Sequence, residues 1–124
     1  MLSNIFLAAT NIVAFPAIIY ATTINEKIII SIAMIASILM HLSETKHNLI
    51  GVKPFNKYSR LFLNIDRLVS YVTIIWIFTN YHLDLYILTI GIIGFISLAV
   101  SEHVNKGIVF FIIFHSVWHI VAFY

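Results

Sequence analysis

The sequence predicts an all-α fold, a polytopic transmembrane helix bundle of about five spans that forms a single domain over residues 1–124. Hydrophobic residues make up 61% of the chain and charged residues only 10%, and the mean hydropathy is +1.02. Soluble domains are about half apolar and a quarter charged. Apolar runs of roughly 17–25 residues, each long enough to cross a hydrocarbon core of about 30 Å, recur between short polar clusters. This pattern leaves no room for a separate soluble domain.

The predicted spans follow the apolar runs in order: Leu2–Thr22, Lys27–Ser43, Arg60–Asn80, Leu83–Ser101 and Lys106–Tyr124. The first run lacks a basic start and a small-residue cleavage site, so we interpret it as a mature helix rather than a signal peptide. Pro16 lies inside this run and predicts a kink there, which neighbouring helices in a bundle can accommodate.

The basic residues predict the orientation of the bundle. The longest connection, Glu44–Ser59, carries three lysines and is followed by Arg60, and with five spans it lies on the same side as Lys106. Only Lys27 lies in a connection on the opposite side. The positive-inside rule then predicts a cytoplasmic N-terminus and a C-terminus outside the cell or in a lumen. The net charge of +2 is accordingly interpreted as a topology signal, and no nucleic-acid partner is expected.

Histidines inside the spans predict a metal site. His115 and His119 are four residues apart, the spacing at which helical histidines face one way and share a zinc ion. Catalytic zinc takes three protein ligands and keeps one position open, and His41 is the remaining histidine well inside a span. The chain has no cysteine, which excludes disulfides and thiolate ligands. We therefore predict Zn²⁺ bound by His41, His115 and His119.

Other polar side chains share faces with these candidates. Ser37 lies one helical turn before His41, and Asp66 and Ser70 repeat this spacing on the third span, where Ser70 is a candidate supporting residue. Ionisable groups at membrane depth are costly and therefore mark functional sites. The structural alternatives are that His41 is a hydrogen-bonded packing residue and that Asp66 pairs with a basic side chain. No specific role is expected for three histidines in or beside loops, which are His47, His82 and His103.

Together these positions resemble a known family. Ser37-x-x-x-His41 lies late in one span, Asp66 early in the next, and His115-x-x-x-His119 in the last, a pattern similar to the CREST superfamily of membrane hydrolases. That superfamily includes alkaline ceramidases, the adiponectin and progestin receptor family and GPI-anchor lipid-remodelling enzymes. The segment 11–17, Asn-Ile-Val-Ala-Phe-Pro-Ala, and the His-Ser-x-x-His form most resemble the branch of myomaker and GPI-specific phospholipase A2 relatives. The resemblance covers nearly the whole chain, which is two spans short of the family's seven.

The resemblance implies a zinc-dependent intramembrane lipid hydrolase that cleaves an amide or ester bond of a ceramide-like or glycerolipid substrate. In that family the corresponding serine, histidines and aspartate surround a catalytic zinc. Asp66 would take a proton from the attacking water and return it to the leaving group. Ser37 would hydrogen-bond the water or the developing oxyanion.

Two other classes of function stay open at this point. One is a non-catalytic CREST-like scaffold, such as a membrane-remodelling or fusion factor, that keeps a structural metal or a polar cluster. The other, less favoured, is a haem protein with histidines on facing helices. Because the missing spans would remove part of a lipid-pocket wall, a homo-oligomer also stays open.

Overall fold

The computed structural model describes residues 1–103 and 107–123, and within those ranges it contains helices and no strands. The α-helices are α1 Leu2–Thr10, α2 Ala14–Tyr20, α3 Ile24–Ser43, α4 Ser59–Asn80, α5 Leu85–His103 and α6 Ile108–Ala122. Four segments are long and apolar enough to cross a membrane: Leu2–Tyr20, Ile24–Ser43, Phe55–Asn80 and Leu85–His103. The predicted all-α bundle is confirmed.

The fifth predicted span corresponds to α6, which has 15 residues and is therefore about 22 Å long. It is apolar but shorter than the other four segments. Lys106 and Tyr124, the predicted ends of this span, lie outside the described residues.

The first span changes from α-helix to 3₁₀ helix shortly before its proline. Between α1 and α2 the chain forms a 3₁₀ turn over Asn11–Val13. Pro16 follows this turn. In a regular α-helix its ring clashes with the carbonyl group four residues earlier, and it has no N–H to donate to that carbonyl. The Asn11 side-chain amide donates to the carbonyls of Leu7 and Ala8 at 3.5 and 3.4 Å. A 3₁₀ turn therefore lies just before Pro16 in the first span, and the kink at Pro16 stays a prediction.

Helix α3 begins three residues before the predicted start at Lys27 because a capping box sets its N-terminus. The Thr23 hydroxyl accepts from the Glu26 backbone N–H at 3.2 Å, and the Glu26 carboxylate accepts from the Thr23 N–H at 2.9 Å. This reciprocal pair satisfies two N–H groups that a helix end leaves without partners.

Contacts at the two ends of the bundle agree with the predicted alternation of the spans. At one end, the Asn4 side chain donates to the carbonyls of His41 and Glu44, both at 2.9 Å, and so ties the start of α1 to the end of α3. At the other end, the Tyr81 hydroxyl donates to the Glu26 carboxylate. We call the first of these the loop end, because it carries the 44–58 loop.

The helices pack in the order α4, α3, α1, α6, α5. Helix α1 lies against both α3 and α6, α4 packs on α3, and α5 packs on α6. Across the described residues, α4 and α5 do not pack on each other, although a connection of four residues joins them. The fold is therefore an open arc around α1.

Burial in this fold is the reverse of that in a soluble domain. Apolar side chains cover the surface, whereas ten polar or charged residues among those described are buried: Asn4, Asn11, Ser37, His41, Ser43, Glu44, Ser97, Ser101, His115 and His119. The buried apolar cluster is small and consists of Leu7, Leu49 and Phe111 at the loop end. An apolar exterior around a polar interior suits a lipid environment, where polar groups must be satisfied internally.

Candidate metal centre

Three histidines that are distant in sequence meet inside the bundle. His41, His115 and His119 are 0%, 3% and 2% exposed, and each offers a ring nitrogen within 4.8 Å of those of the other two. Their ring centroids form a nearly equilateral triangle with sides of 4.8, 4.8 and 5.0 Å. The predicted ligand set is therefore brought together by the fold.

Helix geometry explains this meeting. His41 lies in the last turn of α3, and His115 and His119 occupy one face of α6. The backbones of α3 and α6 do not pack directly in the part of the chain described here, because α1 lies between them. The imidazoles fill the remaining gap, and the Nε2 atoms of His41 and His119 are 3.0 Å apart.

The first span fixes the orientation of His119. The Thr10 hydroxyl lies 2.6 Å from Nδ1 of His119 and also donates its only proton to the Leu7 carbonyl at 2.6 Å. The hydroxyl must therefore accept from His119, and this hydrogen-bond network assigns the ring proton to Nδ1. Nε2 of His119 is left with a lone pair that points into the cluster.

The same arrangement recurs at His115. The Ser101 hydroxyl donates to the Leu98 carbonyl at 2.7 Å and lies 3.2 Å from Nδ1 of His115. It therefore accepts from that ring, which leaves Nε2 of His115 to act as a ligand. The Glu102 carboxylate lies 4.0 Å from the same Nδ1 atom and adds negative charge behind the ring.

At His41 the acceptor is a carboxylate. Nδ1 of His41 lies 3.2 Å from Oε2 of Glu44, which is three residues later and buried. Burial raises the pKa of Glu44 to about 7, and the charge of Glu102 contributes in the same direction. When Glu44 is ionised, its carboxylate accepts from Nδ1–H of His41, and Nε2 of His41 is then free of its proton.

With both Nδ1 atoms protonated, the Nε2 lone pairs of His41 and His119 face each other at 3.0 Å, and a cation between them would relieve their repulsion. Zinc bonds imidazole nitrogen at about 2.0–2.1 Å, and a tetrahedral arrangement places such nitrogens about 3.3 Å apart. The 3.0 Å separation of the His41 and His119 nitrogens is close to this value. It also leaves no space for a porphyrin between those two rings, which disfavours the haem alternative.

The other predicted site residues are distributed unevenly around the cluster. Ser37 belongs to it, because its buried hydroxyl is 3.4 Å from Nε2 of His119. Asp66 is half-buried on α4, and within residues 1–103 and 107–123 no hydrogen bond or ion pair joins it to the histidines. Ser70 is half-buried on the same helix, and no hydrogen bond connects it to the cluster in these ranges.

Asp66 nevertheless lies on a helix that faces the site. Ser59 and Leu63 line a small cavity together with Met40 and Glu44. Asp66 follows Leu63 by three residues and therefore shares this face of α4. Asp66 therefore lies about one helical turn along α4 from Leu63, which lines the cavity.

Sequence reasoning missed the partners that orient the histidines. Thr10, Ser101 and Glu44 each hold one ring, yet none was singled out as a site residue. A signal existed for Glu44, since a carboxylate three residues after a buried histidine lies on the same helix face. The buried polar residues Asn4 and Asn11 likewise mark an inward face of the first span by their spacing of seven residues.

The expectation for one loop histidine was wrong. His47 does make specific contacts, because its ring stacks on Phe111 with a centroid distance of 4.2 Å and an interplanar angle of 15°. Its Nε2 atom is 3.8 Å from a Glu102 carboxylate oxygen. The 44–58 loop is therefore attached to the end of α5, beside the histidine cluster.

Comparison of the chain with protein-family models, with curated proteins and with solved structures gives no match. The interpretation of the site therefore depends on its own geometry.

Proposed function

We propose that this protein is a zinc-dependent intramembrane lipid hydrolase of the CREST type. The observation that carries the proposal is that three buried histidines each bring a ring nitrogen within 4.8 Å of the others, while Nδ1 of each ring has its own oxygen partner in Thr10, Glu44 or Ser101. Such acceptors behind metal-binding histidines set the tautomer and raise the basicity of the ligand. A packing cluster would not need this arrangement three times.

The donor set favours zinc. Three neutral imidazoles with no thiolate form a ligand set of catalytic zinc sites, and a fourth position stays open for water or substrate. When bound there, zinc would activate a water molecule for attack and polarise the acyl carbonyl of the substrate. The histidines bind and orient the ion, and the apolar exterior of the bundle admits a lipid from the side.

Two further side chains have proposed roles in the reaction. The Ser37 hydroxyl, 3.4 Å from Nε2 of His119, would donate a hydrogen bond to the oxygen that becomes negative during attack. Asp66 would accept a proton from water and pass it to the leaving amine or alcohol. Asp66 must approach the cluster for this step, either by a small movement of α4 or through an intervening water.

A specific observation favours a second candidate function. Asp66 forms no hydrogen bond or ion pair with the histidines in the described ranges, and a metal centre without an adjacent base suits a scaffold with a structural zinc. In that case the protein would act in membrane remodelling or fusion without turnover. The two candidates are separated by asking whether the metal-loaded protein hydrolyses lipids.

Metal content and turnover of the purified full chain test the proposal. We expect about one zinc per chain at the histidine cluster and hydrolysis of a fluorescent ceramide or diacylglycerolipid. His119→Ala should lose both, whereas His82→Ala, an exposed loop variant, should keep both. Asp66→Asn should retain zinc and lose turnover, because Asp66 is assigned to the water and not to the ion.

Results that differ from these expectations would reject or change the proposal. Unchanged zinc in His119→Ala would reject the metal centre. Zinc without hydrolysis across a panel of amide- and ester-linked lipids would favour the scaffold. Loss of zinc in Asp66→Asn would make Asp66 a ligand or a residue that orients one.

A further inference from the structure

A second group of metal-binding side chains lies beside the histidine cluster at the loop end. Glu44, His47 and Glu102 each offer a ligand atom, and these atoms lie within 4.8 Å of one another. They come from three separate segments: the end of α3, the 44–58 loop and the end of α5. None of them belongs to the three-histidine ligand set.

This group combines two acidic side chains with one imidazole. Two carboxylates face each other here, and Glu44 is buried while the Glu102 side chain is 28% exposed. Among the described residues, the ion pairs of these two carboxylates are all with histidines. The charge of Lys46 acts on Glu44 and opposes the rise in its pKa, but no described lysine or arginine forms an ion pair with either carboxylate.

The imidazole of the group is held in place and has an available nitrogen. Nε2 of His47 is buried and has no hydrogen-bond partner in the described part of the chain. Stacking on Phe111 fixes the plane of the ring, and Nε2 points towards Glu102 at 3.8 Å. A buried ring nitrogen without a partner is uncommon, and a cation between it and the carboxylates would satisfy all three groups.

We infer that Glu44, His47 and Glu102 form a second divalent-metal site at the loop end of the bundle. Two carboxylate oxygens and one imidazole nitrogen form a mainly oxygen ligand set, which suits Mn²⁺. The three-imidazole set of the histidine cluster suits Zn²⁺ instead. Partial exposure of His47 and Glu102 gives the ion a path from the aqueous phase and leaves room for water ligands. The bound ion would join α3, the loop and α5.

Manganese binding to the full-length protein in an uncharged detergent tests this inference. Protein preloaded with one equivalent of zinc is titrated with Mn²⁺, and free Mn²⁺ is followed by electron paramagnetic resonance. We expect one Mn²⁺ per chain and a rise in melting temperature on binding, since a ligand of the folded state stabilises it. His47→Ala and Glu102→Gln should each weaken Mn²⁺ binding at least about tenfold, because each removes one of three protein ligands.

Control variants separate this site from the proposed zinc centre. His103→Ala changes an exposed histidine at the same end and should bind Mn²⁺ as the wild type does. His119→Ala should lose zinc but retain Mn²⁺ binding, so failure of the zinc centre would leave this result unchanged. Glu102→Gln preserves side-chain shape and serves if His47→Ala does not fold. Equal Mn²⁺ affinity in the wild type, His47→Ala and Glu102→Gln would overturn the inference.

Discussion

At the scale of single residues, the acceptors behind the histidines determine whether the cluster can bind a metal. Thr10 and Ser101 have each given their only hydroxyl proton to a backbone carbonyl, so they can only accept from the rings. This fixes the proton at Nδ1 and the lone pair at Nε2. The hydroxyls of Thr10 and Ser101 and the carboxylate of Glu44 therefore have the same role, which is to accept a hydrogen bond from Nδ1 of one histidine each.

Replacing Thr10 by valine should weaken zinc binding while preserving the fold. Valine keeps the shape of threonine but removes the acceptor for His119 Nδ1–H, and loss of such a partner typically lowers metal affinity 10–100-fold. Competition between the purified protein and a chromophoric chelator measures the affinity. Thr89→Val is the matched control, because the Thr89 hydroxyl is exposed and donates to the Leu85 carbonyl on α5. Equal affinity in both variants would contradict the role of Thr10.

The part of the site that sequence predicts is the part that helix geometry dictates. His115 and His119 share a face because residues four apart do so on any helix. For the same reason Ser37, four residues before His41, lies on the same face as His41. Thr10 is 109 residues from His119, and no local rule links them. Their contact depends on α1 lying between α3 and α6, which periodicity does not specify.

At the scale of helices, a glycine sets the distance between α5 and α6. A Cβ atom at Gly94 would lie 2.6 Å from a methyl carbon of Val121 and 3.3 Å from the Trp118 ring. These two residues flank His119 on α6. The close approach at Gly94 therefore bears on the position of a predicted metal ligand.

Gly94→Ala should destabilise the bundle by about 1–3 kcal/mol, the usual cost of adding volume to a packed contact, and should also lower zinc affinity by displacing α6. Gly91→Ala is the control, since a Cβ there meets nothing within 4 Å. Thermal unfolding of the two variants in the same detergent measures the difference. If Gly94→Ala melts at or above the temperature of Gly91→Ala, the close packing is not a constraint.

At the scale of the whole molecule, composition predicts the fold class and hydropathy predicts most of the spans, but neither predicts the packing order. The predicted second span begins at Lys27 and the helix at Ile24, because the Thr23–Glu26 capping box acts locally. The open arc with α4 and α5 apart depends on which apolar faces meet. A helix that is apolar on every side carries no sequence signal for which face packs against which neighbour.

The last prediction concerns the direction of the bundle in the membrane. Contacts between Asn4 and the end of α3, and between His47 and Glu102, place the N-terminus, the 44–58 loop and the end of α5 together. The positive-inside rule assigns this loop end to the cytoplasm, because basic residues concentrate in its short connections. The 81–84 connection should then lie on the opposite face of the membrane.

Cysteine labelling in intact cells tests this arrangement without background, because the chain has no cysteine. Thr45 and His82 are exposed and lie in connections at opposite ends of α4. An impermeant thiol reagent added outside should label His82→Cys, whereas Thr45→Cys should react only after the membrane is permeabilised. The reverse result would invert the bundle but leave the site intact. Labelling of both variants from one side would mean that α4 does not cross the membrane, and the shared depth of the histidines, on which the metal centre depends, would be lost.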